Sequence, residues 1–503
     1  MTRLPRRGRV AVPSVAAGIL LALSLPPWGW WPLGLAGAAL LYWRLAGLRL
    51  RTRLWSGWLA GLGCDVIGLA WARAFNWYGA VVLVLLEALS FAAAAALTPP
   101  RRGRAPAFVG ANTLLEALRI SWPFGGVPLG GVALGQAAGP LVQLCRLAGP
   151  LLLTAGVWAG GVVVATVVSW LVARRHHTRA PSLALAGVVA AGLVGLAVAG
   201  ALAPDGGGPA GTVRVALVQG GGQRGLSKEQ VPPASVYRAQ LAATYAVTTA
   251  RPGPALVVWP EDVVALDRPL AGSPQAAQLS ALARELRTTL VVGVTEPASS
   301  TSFRNEVVVW GPSGRVVGTF EKVHRVPFGE YVPFRSFFAH FADLSGVPTD
   351  AIPGDGSGYM RTPAGPLGFL VSFEIFYAGR SHESVRAGAE LLVVPTNTSS
   401  YSTSQVPAQE IAAARIQAVE TGRDLVQAAP TGFSAVVTQR GVVVTRSELG
   451  TRQVIVATAA LRRGFTPYDH WGDLPVLVLA LAAVAAGWLH HWRIERARVA
   501  DQS

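Results

Sequence analysis

Apolar stretches follow one another through the first two hundred residues, near 10–25, 30–47, 54–72, 78–98, 106–122, 148–173 and 181–203, and an eighth lies near 474–492. Each approaches the ~20 residues that a helix needs to cross a bilayer. The gaps between them alternate in character. Arg3, Arg6, Arg7 and Arg9 precede the first stretch. Arg44, Arg49, Arg51 and Arg53 follow the second, Arg101, Arg102 and Arg104 the fourth, Arg174, Arg175 and Arg179 the sixth, and Arg493, Arg496 and Arg498 the eighth. The other gaps carry Pro26-Pro27-Trp28-Gly29-Trp30-Trp31, Arg73 with Asn76-Trp77-Tyr78, and Trp122-Pro123-Phe124-Gly125-Gly126. Cationic loops on one side and a Trp-rich belt on the other predict eight spans with both termini cytoplasmic. Seven spans precede residue 204, so 204–473 is expected outside the cytoplasm, tethered at both ends. A soluble helical core has no reason to place Arg in every second loop. The first stretch is expected to stay in the mature chain, because Pro26-Pro27-Trp28 is a poor cleavage site.

Beyond a Gly/Pro linker at 204–209 the apolar runs become short. Val213–Gln219 reads as a strand, followed by a helix near 234–250, the buried strand 255–260 ending at Glu261-Asp262, a helix near 274–287 and the strand 290–294. A hairpin is expected from Asn305–Trp310 and Arg315–Phe320 around Gly311-Pro312-Ser313-Gly314. Then come the strand 368–372, a helix near 380–387, the strand 391–395, a helix near 405–421 and strands near 425–429, 434–445 and 453–458. Buried strands alternating with helices predict a layered α/β domain whose functional side chains sit at strand ends. The expected organisation is a transmembrane bundle at 1–203, an extracytoplasmic α/β domain at 204–473, and a last transmembrane helix with a cytoplasmic tail at 474–503.

Composition supports a membrane chain: of 503 residues, 51% are hydrophobic and 14% charged. The net charge of +16 first suggests a nucleic-acid binder, but residues 204–465 hold 23 Lys and Arg against 20 Asp and Glu. The excess therefore lies in the membrane stretches, and no nucleic-acid partner is expected. The two cysteines, Cys64 and Cys145, fall in or beside spans, so the outer domain has no thiol. Asp65, Glu87, Glu116 and Arg119 fall inside spans, where a polar residue needs a partner or a wet cavity. Glu116 and Arg119, three apart, can pair; the group is either a pocket for a lipid headgroup or glue between helices.

Three strand ends in the outer domain carry complementary chemistry. Glu261 follows the second strand, Lys322 follows the hairpin, and Ser372 ends the strand after Gly368, with Glu374 two residues on. Together they offer a base, a charge stabiliser and a nucleophile for acyl transfer. Lys322 and Lys228 are the only lysines against 41 arginines, which suggests a task that a guanidinium cannot fill.

At this point the residues resemble a family. Trp259-Pro260-Glu261, Glu321-Lys322-Val323-His324-Arg325-Val326-Pro327-Phe328-Gly329-Glu330-Tyr331-Val332-Pro333, Ser372-Phe373-Glu374 and Arg386–Asn397 resemble the bacterial apolipoprotein N-acyltransferases, membrane bundles that carry a nitrilase-like αββα domain outside the cytoplasm. The resemblance implies transfer of a fatty acyl group from a phospholipid donor to the α-amino group of a diacylglyceryl-cysteine at a lipoprotein N-terminus, with no cofactor and no metal. It implies Glu261 as general base, Lys322 as oxyanion and charge stabiliser, Glu330 as a second carboxylate that holds Lys322 or shuttles a proton, and Glu374 as support for the turn presenting the nucleophile. This sequence departs from the family pattern at the nucleophile, where Ser372 stands in place of Cys. The family's Trp is missing from 221–235, and its aromatic pair after Pro395-Thr396-Asn397 is reduced to Tyr401. A serine hydroxyl is far less acidic than a thiol with a pKa of about 8.5, so two readings stay open: an acyltransferase that works through Ser372, with reduced activity, or a non-catalytic paralogue that binds lipoproteins or a membrane partner enzyme.

Glu261, Lys322 and Ser372 are expected within mutual reach on one face opening toward the membrane, each ending a strand of the same sheet. The site does not match the Gly-x-Ser-x-Gly elbow, and His324 and His340 are possible substitute bases. Phe334, Phe337, Phe338 and Phe341 form an aromatic stretch that is either a lid over an acyl pocket, with Tyr401 as a further lipid contact, or a helix packed on the domain's own core.

Overall fold

The computed structural model describes residues 8–74, 77–178, 180–222, 231–340, 343–401 and 405–500. The chain divides into two compact units, Met1–Ala203 with His470–Ser503, and Pro204–Asp469.

The first unit is helical. Helices α1 (Gly8–Ser24), α2 (Trp31–Arg44), α3 (Leu50–Gly68), α4 (Trp77–Leu97), α5 (Arg104–Arg119), α6 (Leu144–Arg175) and α7 (Ala184–Leu202) occupy the seven apolar stretches before the linker. Among the described residues four helical segments are long and apolar enough to cross a membrane: Trp77–Leu97, Pro140–Arg175, Ala184–Leu202 and Leu474–Arg498. The protein is a membrane protein. Packing among the shorter helices relies on small residues. A Cβ on Gly18 of α1 would lie 1.9 Å from the Ala60 carbonyl oxygen of α3, and one on Gly57 of α3 2.4 Å from that of Phe91 in α4. Backbones approach this closely only where a side chain is missing, and van der Waals contact then holds helices that lipid tails cannot drive together.

In the second unit α8 (Pro233–Thr244), α9 (Pro274–Leu286), α10 (Arg335–Phe338), α11 (Ala378–Arg386) and α12 (Val406–Thr421) accompany fourteen strands among the described residues; α13 (Pro467–Trp471) and α14 (Leu474–Ala500) follow. One sheet runs in the order β14 (Gln453–Leu461), β1 (Gly211–Gln219), β2 (Leu256–Val258), β4 (Thr289–Pro297), β5 (Ser302–Trp310), β6 (Val316–Glu321), with β3 (Val264–Ala265) beside β4 and β7 (Asp350–Ala351) beside β5. The other runs β13 (Val443–Arg446), β12 (Ala435–Val437), β11 (Leu425–Ala428), β10 (Leu391–Pro395), β9 (Gly365–Phe369), β8 (Tyr359–Thr362). β1, β2 and β4 are parallel to one another, as are β9, β10 and β11. Their residues alternate between two buried environments: Val213, Val215 and Leu217 meet Leu367, Phe369 and Val393 of the facing sheet, while Ala216 and Val218 pack with Ala243, Leu279 and Leu282 of the helices. Strands buried on both faces give the continuous apolar runs seen in the sequence, and the result is an αββα sandwich.

Two expectations need correction. Residues 434–445 do not form one strand: the chain turns between β12 and β13, with Thr438 N donating to Val442 O at 2.9 Å and Gly441 at φ +74° supplying the left-handed position. The strand before Ser372 ends at Phe369, and Ser372 opens a 3-10 turn over Ser372–Phe376.

Candidate active site

Glu261 and Lys322 end strands of the first sheet, whereas Ser372 follows β9 of the second, so the three do not share one sheet as expected. They belong to strand ends of both sheets, and side-chain bonds tie those ends together. After β2, Trp259 N donates to Val291 O at 2.8 Å, and the chain bends over β4 at Gly293, where a Cβ would come within 2.4 Å of Glu261 Cα. Only glycine permits that approach, which turns Glu261 into the interior.

Lys322 follows β6, its N–H donating to Asn305 O at 2.9 Å. Its buried ammonium donates to Glu261 Oε1 at 2.9 Å and to Glu330 Oε1 at 2.7 Å. Asn305 Nδ2 bridges the same two oxygens, at 2.8 and 3.0 Å. Glu330 reaches inward because Val326 N caps its other oxygen at 2.8 Å and Phe328 takes φ +59° in the intervening turn. Burial raises the pKa of Glu261; Lys322 opposes this and Glu330 adds to it. Burial by itself would lower Lys322, but the two carboxylates more than offset it and hold the ammonium protonated above its ordinary range. The group is thus a permanent cation flanked by two carboxylates, one of them disposed to take a proton.

Ser372 sits at φ +50°, a conformation that β-carbon sterics disfavour and that is kept only where the surroundings fix it. Glu374 does the fixing. Its Oε2 accepts Val371 N at 2.8 Å, closing the turn, and its Oε1 accepts Val323 N and His324 N at 2.9 and 3.0 Å. One buried carboxylate therefore clamps the Ser372 turn to the two residues that follow Lys322. Burial raises the Glu374 pKa, against the pull of Arg380 and these three N–H groups. Ser372 Oγ also lies 3.2 Å from Thr396 Oγ1 and 3.5 Å from Asn397 N, both just past β10.

His324 is stacked on Tyr377 with ring centroids 4.2 Å apart, and burial, aided by Arg380, pulls its pKa down to about 4. Neutral and weakly basic there, it is a poor substitute base. His340 bonds Ser336 O through Nδ1 at 2.7 Å on the exposed end of α10. The aromatic stretch turns outward: Phe334 is 72% and Phe337 59% exposed, so neither is packed into the domain core. Phe338 meets Phe328 edge-on at 5.2 Å, and Arg335 anchors the segment to Asp350. Phe341, Lys228 and most of the 221–235 loop lie outside the described residues, as does the side chain of Tyr401. Sequence reasoning missed Asn305, Thr396 and Glu410. Asn305 lies between Arg304 and Glu306 and Glu410 follows Gln409, so neither stands out from its neighbours in the sequence.

Two family models match the chain: the apolipoprotein N-acyltransferase N-terminal domain over residues 17–163 and carbon-nitrogen hydrolase over 214–464. The protein named apolipoprotein N-acyltransferase in Mycolicibacterium smegmatis is 30% identical, over 94% of this chain and 83% of its own length. Its namesake in Azotobacter vinelandii is 30% identical, over 96% and 95%. The chain belongs to the apolipoprotein N-acyltransferase family. The first family model falls in the helical unit and the second in the αββα unit, so family membership takes in both. Yeast Nit3, described as a member of branch 10 of the nitrilase superfamily, is similar at 21% identity and a TM-score of 0.38, covering 50% of this chain and 91% of that one. At the turn that Glu374 clamps, the hydroxyl of Ser372 lies beside the end of β10, 3.2 Å from Thr396 Oγ1.

Proposed function

We propose that the protein transfers a fatty acyl group from a phospholipid to the N-terminal α-amino group of diacylglyceryl-cysteine lipoproteins, through an acyl-enzyme on Ser372 and with reduced activity. The observation that carries this reading is the buried Glu261–Lys322–Glu330 set, with Glu374 bonding both the Ser372 turn and the two residues after Lys322, in a chain whose relatives are named for N-acylation of apolipoproteins. Glu261 takes the Ser372 proton as Oγ attacks the ester carbonyl, and Lys322 faces the oxyanion with the N–H that neither carboxylate uses. The ester C–O bond then breaks and the departing alcohol takes the proton from Glu261. In the second half-reaction Glu261 accepts a proton of the incoming amine as its nitrogen attacks the acyl carbonyl, then returns that proton to Ser372 Oγ as the acyl C–O bond breaks and the amide is left. Glu330 keeps Lys322 in place.

Burying two carboxylates and an ammonium is costly, and apolar residues would fill the space as stably; this favours chemistry over the non-catalytic reading. The outward Phe334 and Phe337 fit a segment that dips into lipid, which suits a domain outside the cytoplasm beside the outer leaflet. The test is mass spectrometry of a lipoprotein N-terminus in a strain whose only N-acyltransferase is this chain. Partial triacylation by the wild type, more by Ser372→Cys and none by Ser372→Ala is expected. Absence of triacylation with all three would leave the binding role.

A further inference from the structure

The mechanism leaves unused a carboxyl group one hydroxyl away from the nucleophile. Glu410, on α12, is 1% exposed. Its Oε1 lies 2.6 Å from Thr396 Oγ1, and its Oε2 is buried with no hydrogen-bond partner among the described residues. Thr396 Oγ1 in turn lies 3.2 Å from Ser372 Oγ. Three oxygens thus form a line, Glu410–Thr396–Ser372.

A threonine hydroxyl has one proton to give, so its two neighbours cannot both receive it. If Glu410 is ionised, Thr396 donates to Glu410 and Ser372 must donate to Thr396, which turns the serine proton away from Glu261. If Glu410 is neutral, Glu410 donates to Thr396 and Thr396 donates to Ser372. Ser372 Oγ then accepts from Thr396 and from Asn397 N, and its own proton is free for the base. Complete burial and, among the described residues, a single hydrogen bond, an oxygen without a partner and no ion pair all oppose ionisation.

We infer that Glu410 acts as a neutral acid, a positioning residue that drives the Thr396 hydroxyl proton onto Ser372 Oγ. This rests on the reading of Ser372 as nucleophile. The relay stabilises negative charge on Oγ when the O–H bond breaks during attack and again when Oγ leaves the acyl-enzyme. No proton moves along it: the serine proton goes to Glu261, and the Thr396 and Glu410 protons stay bound. It supplies part of the acidity that a thiol would bring, and so gives this serine a support that a cysteine would not need. Burial raises the Glu410 pKa to about 8, with Glu261 adding and the Thr396 bond and Lys322 opposing. The charged groups on neighbouring elements are otherwise engaged, Glu374 with backbone N–H groups and Arg380 with Glu383 and Glu374.

The test uses the full-length protein in detergent and a fluorophosphonate probe, which forms an Oγ–P bond at Ser372 and expels fluoride while Glu261 takes the proton. Labelling rates are read by mass spectrometry of the Ser372 peptide between pH 6 and 10, with Ser372→Ala as control. Thr396→Val and Glu410→Leu should each slow labelling about tenfold or more, the loss of a donor to a developing oxyanion, and Thr396→Ser should recover most of it. Glu410→Gln, whose amide donates without ionising, should recover most of the rate lost in Glu410→Leu. Its rate relative to the wild type should climb severalfold above pH 8. A Gln variant as slow as the Leu variant, a ratio that stays flat with pH, or no labelling of the wild type would each overturn the relay. Phospholipid-to-lipopeptide acyl transfer is measured in parallel. Relay-dependent labelling without transfer would support the relay and defeat the N-acyltransferase reading instead.

Discussion

Two buried clusters in this protein share an inventory, one cation among carboxylates, and use it oppositely. In the helical unit Arg119 donates to both oxygens of Glu116 at 2.9 Å, to Leu129 O at 3.0 Å and to Val127 O, and lies 3.7 Å from Glu87. Its fork is spent on the ends of its own helix, a neighbouring helix and a loop. These bonds take four of the guanidinium's five N–H groups and hold α5 and the 127–129 backbone in one geometry, as helix glue would. In the α/β unit Lys322 gives two of its three N–H groups to Glu261 and Glu330. Its third N–H has no partner among the described residues, and in the proposed mechanism it is the donor to the reacting oxygen, which a guanidinium of fixed fork geometry could not aim there. A buried ion cluster is informative through what its donors leave unspent.

Exchanging the two cations breaks the comparison most sharply. Lys322→Arg should lower acyl transfer by about 10³-fold or more, because the larger fork cannot fit between Glu261 and Glu330 and also face an oxyanion; transfer from phospholipid to a synthetic lipopeptide measures it. Glu261→Gln removes the base and keeps the fold, with a loss of about 10²–10³-fold and an unchanged melting transition. Arg119→Lys instead acts on stability: losing the bidentate bond to Glu116 should cost about 2 kcal/mol, read as a lower melting temperature in detergent, with transfer per folded molecule retained. Gly18→Val puts a side chain against the Ala60 carbonyl and should cost about 1–3 kcal/mol. The smallest effect concerns pH. Glu410 has a folded pKa of about 8 against 4.5 ordinarily, so its contribution to stability is present in full below 4.5 and lost as pH rises toward 8. Glu410→Gln should therefore melt a few degrees higher than the wild type at pH 8 and show no such gain at pH 4.

The sequence told most where a period or a charge rule applies. All eight apolar stretches became helices, and the doubly buried strands of the sandwich were legible because both faces are apolar. Glu261, Lys322 and Ser372 were legible as strand-end chemistry, since such residues stand out against Val-rich runs. Their distribution over two sheets was not, because strand order depends on long-range pairing that no local pattern carries; β14 closing onto β1 is the clearest case. The Ser372 turn was misjudged for a related reason. A left-handed residue ordinarily announces itself as glycine, and here the strain is held by Glu374 from two residues away and by bonds to Val323 and His324. Glu410 stayed hidden because its partner, Thr396, is fourteen residues distant.

An acyl group carried on Ser372 separates the catalytic role from the binding role. This acylation is tested most directly by incubating the full-length protein with phospholipid and no acceptor, then measuring the mass of the peptide that contains residue 372. A gain of one acyl chain on Ser372 is expected, absent in Ser372→Ala and discharged when a diacylglyceryl lipopeptide is added. Transfer to the lipopeptide with residue 372 unmodified throughout, or undiminished transfer by Ser372→Ala, would contradict it.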